Sequence, residues 1–264
     1  MNGFGFKFFL WDKLMRYYEK YGRKDRIKHH VLNWDNADLN KMLSKRLEAY
    51  SNNKINNFSD IVNYDFYISI DEIIILFAQK SPRNVIRIIQ DIIAEQREIN
   101  QYARKISETA IMEGINTFSQ NKASEIVDIN TLRELRKIGQ IEFTINYLAN
   151  DIYKCSQENV RTKIKKWSDL GIIENIGKEK GRKKPVNKYC INDVIIARCI
   201  LPEVSIKEFI NSKYRMCPCG ADLLRDWENG YNKICHICSS ESKRSSEKFS
   251  KRMFDTKQRT LFEY

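Results

Sequence analysis

Three features predict a mainly α fold with small β additions. Apolar residues recur at helical spacing along most of the chain, two short strands flank a basic loop near residues 172–191, and four cysteines bracket a hairpin near the C-terminus. The expected organisation is a helical unit over 1–128 that opens with a strand, a small α/β unit over 129–210, a metal-held β unit over 211–240 and a flexible tail over 241–264. The 264 residues carry 46 Lys and Arg against 34 Asp and Glu, a net charge of +12, which points to a polyanionic partner. Nothing at the N-terminus reads as a signal peptide. Apolar runs such as Ile73 to Ala78 fall far short of the roughly 20 residues a membrane span needs, so a cytoplasmic protein with no membrane partner is expected. In a reducing compartment, a tight cluster of four of the seven cysteines argues for a metal before disulfides.

Phe4 to Trp11 is an aromatic, strand-like run with almost no alternation, as in a strand buried on both faces. From Lys13 to Leu47 the pattern is helical, with a basic stretch from Arg23 to Arg26 and an apolar series of Leu39, Met42, Leu43 and Leu47. Asp35 or Asn36 is the expected cap of the second helix. Serine and asparagine from Ser51 to Ser59 predict a loop. Ile70 to Gln79 then reads as a short helix with Ile73, Ile74 and Phe77 inward. Ser81 as N-cap and Pro82 at the first helical position open the next helix, which carries Val85, Ile86, Ile89, Ile92 and Ile93 along one side.

Arg83 stands in the first turn of that helix, where the macrodipole disfavours a cation by about 0.3–1 kcal/mol. A residue set against its local preference invites a functional reading. Ser81-Pro-Arg-Asn84 followed by an isoleucine-rich helix resembles the sensor-2 arginine helix in the lid of AAA+ and related P-loop ATPases. Phe6 to Trp11 is similar to the sensor-1 strand of that superfamily, the Leu39 to Leu47 helix to the first lid helices, and Ile106 to Ile126 to the closing lid helix. The resemblance extends through residue 128 and implies nucleotide sensing by Arg83, with Arg23 or Arg26 able to act in trans. No Gly-x4-Gly-Lys-Ser/Thr loop occurs, so no ATP hydrolysis is expected of this chain alone. A well-capped helix in an all-α unit unrelated to ATPases is the other reading of the same residues.

Between Asp128 and Ile141, Leu132, Leu135 and Ile138 mark another amphipathic helix. Phe143 to Tyr153 follows as a short helix with Ile145, Leu148, Ala149 and Ile152 on one side. After a turn, Ser156 caps a second helix in which Val160, Ile164 and Trp167 face the first, while Arg161, Lys163, Lys165 and Lys166 stay in solvent. Leu170-Gly171 stops it. A strand from Ile172 to Ile176, a tip from Gly177 to Pro185 and a return strand from Val186 to Ile191 complete what reads as a winged helix-turn-helix. From Lys154 to Lys188, eleven Lys and Arg stand against four Asp and Glu, a net of +7. Such a field attracts phosphates, and a helix fits the major groove beside it. Double-stranded DNA is therefore the expected partner, through Gln157, Asn159, Arg161, Thr162, Lys163, Lys165, Lys166, Lys180, Arg182, Lys183 and Lys184. The alternative use of such a unit is packing against another protein. Cys190 and Cys199 read as small core residues.

Cys217-Pro-Cys219 and Cys235-His-Ile-Cys238 are separated by fifteen residues that spell a hairpin around Asn229-Gly230. This looks like a zinc ribbon, with Cys217, Cys219, Cys235 and Cys238 as zinc ligands; the first hook is Cys-x-Cys where Cys-x2-Cys is commoner, which leaves His236 as a substitute ligand. The terminal Lys257 to Tyr264 resembles the PIP-box-like peptides that bind a sliding clamp, with Gln258 in the glutamine slot and Leu261, Phe262 and Tyr264 as the hydrophobic plug. It lacks the usual second adjacent aromatic, and folding back onto the chain is the alternative.

Together these residues point to a DNA-binding protein resembling the lid, winged-helix and zinc-ribbon portion of an AAA+-like ATPase, tethered to a sliding clamp in replication or repair. Two other readings remain: a winged-helix transcription regulator, and a regulatory subunit that completes the ATP site of a partner P-loop ATPase through Arg83.

Overall fold

The computed structural model describes residues 14–22, 32–65, 68–179 and 185–213. These residues are mainly helical, with one small antiparallel sheet. The run Phe4 to Trp11, Arg23 and Arg26, the basic tip from Lys180 to Lys184, the four predicted zinc ligands and the terminal peptide lie outside them.

Helix α1 is Met15–Tyr21 and α2 is Asn36–Tyr50, the latter opened by Asp35 in a reciprocal capping box with Asp38. Leu39 and Leu43 of α2 are buried. The serine- and asparagine-rich segment ends in a 3-10 turn, Phe58–Ile61. The carboxylate of Asp71 fixes that turn by accepting the backbone N–H groups of Phe58 (2.7 Å) and Ser59 (2.9 Å). Helix α3, Ile70–Ala78, starts at a Ser69–Glu72 capping box and ends at left-handed Gln79. Ile73, Ile74 and Phe77 point inward as expected.

Helices α4, Pro82–Asn100, and α5, Glu108–Ile126, pack along each other and carry much of the core. Ser81 caps α4 with Pro82 at its first position, as the sequence predicts. The buried stripe of α4 is Val85, Ile88 and Ile92, whereas Ile86, Ile89 and Ile93 are only half-buried. Adjacent isoleucines at 88–89 and 92–93, with Ile86 beside Val85, left the phase of that helix open, and packing against α3 and α5 sets it. Gly114 of α5 lies so close to α4 that a Cβ there would stand 2.5 Å from the Ile92 backbone.

Helix α6, Ile129–Arg136, is capped by Asp128 and buries Leu132 and Leu135, with Ile138 buried just beyond it. The predicted helix from Phe143 is corrected. Glu142–Thr144 is strand β1, Thr144 caps a short helix α7, Ile145–Tyr147, and Leu148–Ile152 continues it as a π-helical turn. Pairing decides the boundary: Phe143 lies opposite Tyr189 and Thr144 opposite Lys188, and long-range strand pairing overrides the local helical pattern.

Helix α8, Gln157–Asp169, and strands β2, Ile173–Glu179, and β3, Val186–Ile191, complete an antiparallel sheet of order β1-β3-β2. Left-handed Gly171 (φ 72°) turns the chain from α8 toward β2. Strand β2 runs beyond the expected Ile176 because a register shift between Asn175 and Gly177 absorbs one residue and lets pairing resume at Gly177–Lys188. Helix α9, Val194–Ile200, is buried at every residue, and α10 is Ile206–Lys213. Cys190 and Cys199 are core residues, and burial pushes the Cys199 thiol up to about 11. One continuous apolar cluster runs from Leu39 to Ile210 and joins the helical layer to the sheet.

Candidate nucleic-acid interface

The local sequence fixes α8 as a rigid, outward-facing rod. Lys154 takes a left-handed turn (φ 49°), which reverses the chain so that Ser156 can cap the helix through the Asn159 N–H. Val160, Ile164 and Trp167, spaced four and three apart, are buried. Two tyrosines anchor the turn beneath: Tyr147 donates its hydroxyl to the Ile138 carbonyl (3.0 Å) and Tyr153 to that of Glu134 (2.8 Å). Burial, followed by the nearby Glu134 charge, raises the Tyr153 phenol far above its ordinary value, so it remains a donor.

The polar residues of α8 divide into two sets. On the side facing α6, Lys163 pairs with Glu134 and lies over the Tyr153 ring, while Lys166 reaches Thr131 Oγ1 (2.7 Å) and Asp128 Oδ2 (3.4 Å). Helical periodicity alone leaves both lysines in solvent; Lys166 is exposed as expected although it touches α6, whereas Lys163 is half-buried and fastens α8 to α6. The carboxylates that hold them are 29 and 38 residues away, so no local pattern could show it.

On the other side Gln157, Arg161 and Lys165 follow one another at i, i+4, i+8, a single exposed row, with Thr162 exposed beside it. Gln157 donates to Asn146 Oδ1 (2.8 Å), and Arg161 forms an exposed pair with Glu158 (3.0 Å). Such a pair contributes little and yields readily to another anion. Lys165 has no ion-pair partner among the described residues. Asn159 is exposed in the first turn.

Beside α8 the β2–β3 hairpin presents exposed Lys178, while Lys188 is held by Glu142 across the sheet (2.8 Å). Lys180, Arg182, Lys183 and Lys184 belong to the tip, outside the described residues.

Arg83 lies elsewhere, in an open groove of about 780 Å³ between α2 and α4. Arg46, Arg87 and Trp34 line the same groove, and sequence reasoning missed all three. The i, i+4 spacing of Arg83 and Arg87 on one face of α4 was a usable signal for Arg87. Arg46 and Trp34 come from another element and gave none. Arg87 pairs with Glu125 (3.1 Å) and lies over the Phe118 ring, whereas Arg46 and Arg83 are exposed and without a carboxylate partner among the described residues.

No protein-family model matches this chain, and no curated protein matches it. Among the described residues no helix is long and apolar enough to cross a membrane, and no group of His, Cys, Asp and Glu is arranged to hold a metal.

Proposed function

We propose that residues from α6 to β3 form a winged helix-turn-helix that binds double-stranded DNA. Helix α8 enters the major groove, and the β2–β3 hairpin with its basic tip lies along the phosphates. The observation that carries this reading is the exposed row of Gln157, Arg161 and Lys165 on a helix whose adjoining face is locked into the core by Val160, Ile164 and Trp167. Gln157 and Arg161 have the donor geometry to reach base edges, and Lys165 supplies a point charge for a phosphate. The order of elements, helix α6, strand β1, the α7 turn, helix α8 and hairpin β2–β3, is that of a winged helix and supports the same reading. Lys163 is assigned to holding α8 against α6, whereas Lys166, exposed despite its contacts with Thr131 and Asp128, stays available to DNA.

Duplex affinity over a series of salt concentrations tests this. Log K should fall linearly with log salt, with a slope corresponding to roughly five or more neutralised phosphates. Absence of binding at low salt would overturn the proposal and leave the basic hairpin to a protein partner.

A further inference from the structure

The groove between α2 and α4 is not needed for duplex binding by α8, yet it is built for an anion. Arg46, Arg83 and Arg87 converge on it against one carboxylate, Glu125, which is already engaged by Arg87 and by Lys122 (2.7 Å). Two guanidinium groups therefore face the groove without a countercharge among the described residues. Arginine gives planar, forked donors that suit phosphate oxygens. Trp34, 37% exposed, presents an indole beside them, and Met42 and Ile86 supply an apolar floor. An aromatic face next to paired cations is the chemistry that holds an unstacked base and its phosphate.

The position of the groove joins it to α8. Glu125 on its rim is three residues from Asp128, the carboxylate that receives Lys166 of α8. Three residues of chain span at most about 11 Å, so the groove edge and the α6-facing side of α8 are neighbours on the surface. A polyanion leaving α8 in this direction meets no unpaired carboxylate on the groove rim, since Glu125 is engaged.

We propose that this groove binds a single strand of DNA continuous with the duplex held by α8, so that the protein recognises a junction between duplex and single-stranded DNA. Arg46 and Arg83 contact the strand's phosphates and Trp34 stacks on one of its bases. This rests on the reading of α8 as the duplex-binding helix.

The test compares a blunt duplex, the same duplex with a single-stranded overhang of about ten nucleotides on either strand, and a single-stranded oligonucleotide alone, by fluorescence anisotropy with the full chain. An overhang on one strand should raise affinity about tenfold. The gain should vanish in the double variant Arg46→Ala, Arg83→Ala and in Trp34→Leu, with blunt-duplex affinity unchanged. Both arginines are exposed, so the double variant should fold, and an unchanged far-UV spectrum checks it. Overhangs without effect, or a gain that survives the arginine double variant, would overturn the proposal, as would competition by a polyglutamate peptide equal to that of the oligonucleotide. Loss of blunt-duplex binding with retained, arginine-dependent binding of the single strand would sink the duplex reading and keep the groove as a single-strand site.

Discussion

Arg198 donates from Nε to the side-chain oxygen of Asn116 at 2.7 Å, in a place where neither solvent nor a paired carboxylate reaches the guanidinium. Its other donors go to the carbonyls of Val204 (2.6 Å), Pro202 (3.1 Å) and Leu201 (3.2 Å), and its plane lies over Phe209. One side chain thus closes the α9–α10 loop and ties it to α5. Burial lowers the guanidinium to about 10, still well above neutrality, so the group is charged and needs every one of these acceptors. Arg198→Met leaves the Val204 carbonyl and Asn116 Oδ1 without their donor, while the Pro202 carbonyl keeps the Asn116 amide and that of Leu201 keeps the Val204 N–H; it is expected to cost about 3–5 kcal/mol in urea unfolding. Asn116→Ala, which removes one acceptor of several, should cost less. An Arg198→Met variant as stable as the parent would show that the loop is held by its apolar contacts alone.

Gly114 makes a second packing prediction. Alanine in mid-helix normally gains about 1 kcal/mol over glycine. Here the added methyl would meet the Ile92 backbone, 2.5 Å from its N and Cα, and backbone cannot rotate away. The overlap forces α4 and α5 apart along an interface that both helices use throughout their length, at a cost of about 1–3 kcal/mol. Gly114→Ala should therefore lower the melting temperature, and a rise instead would mean that the helices separate freely.

Asp35, Ser81 and Ser156 cap their helices as their side chains and spacing announce, and the Val160, Ile164 and Trp167 stripe lies where a 3.6-residue period puts it. Those features are local, so one stretch of chain contains all the physics that decides them. Thr144 was illegible for the opposite reason: its strand partner Lys188 is more than forty residues away, and only pairing turns a helix-like pattern into an edge strand. Arg198, set in the apolar run Val194–Ile200, gave no sign that Asn116 and three carbonyls would receive it. The site divides the same way. Which residues of α8 face outward followed from periodicity, but which lysines touch α6, and which arginines gather with Arg83, depends on tertiary packing.

The two sets of basic residues on α8 should separate in mutagenesis. Arg161→Ala with Lys165→Ala should weaken duplex binding, relax its sequence preference through the lost Arg161 base contact and reduce the salt slope by about 1 for the phosphate Lys165 no longer neutralises, with no change in melting temperature. Lys163→Ala removes a half-buried pair with Glu134 and should lower stability by about 0.5–1 kcal/mol while leaving the salt slope nearly intact. A Lys163 variant whose slope falls as far as that of Lys165→Ala would return that lysine to the DNA surface.

The four thiols of Cys217, Cys219, Cys235 and Cys238 suit a tetrahedral zinc site by donor type and number. We propose one zinc per chain, with Cys235→Ser reducing the content by most of that amount. Because thiolates must be deprotonated to bind, metal should be released on acidification. Protein purified with zinc present that contains none by mass spectrometry would sink the site.

Asp128 connects stability, pH and the proposed DNA surface. Its carboxylate accepts from the Thr131 hydroxyl (2.6 Å), the Thr131 N–H (2.9 Å) and Lys166 (3.4 Å). The Thr131 hydroxyl first, then its N–H, then Lys166 hold the acid well below the ordinary carboxylate range. A depressed native pKa favours the folded state whenever the group is ionised. The contribution is complete above the unfolded value of about 3.9 and is lost as pH falls below it toward the native value. The gap in melting temperature between the parent and Asp128→Ala should accordingly stay constant from pH 7 to pH 5 and narrow below about pH 4. A gap that is unchanged at pH 2 would mean that the cap works through shape rather than charge. The same variant removes the carboxylate beside Lys166 and leaves only its contact with Thr131, so at neutral pH and low salt it should bind duplex DNA more tightly than the parent even though it is less stable.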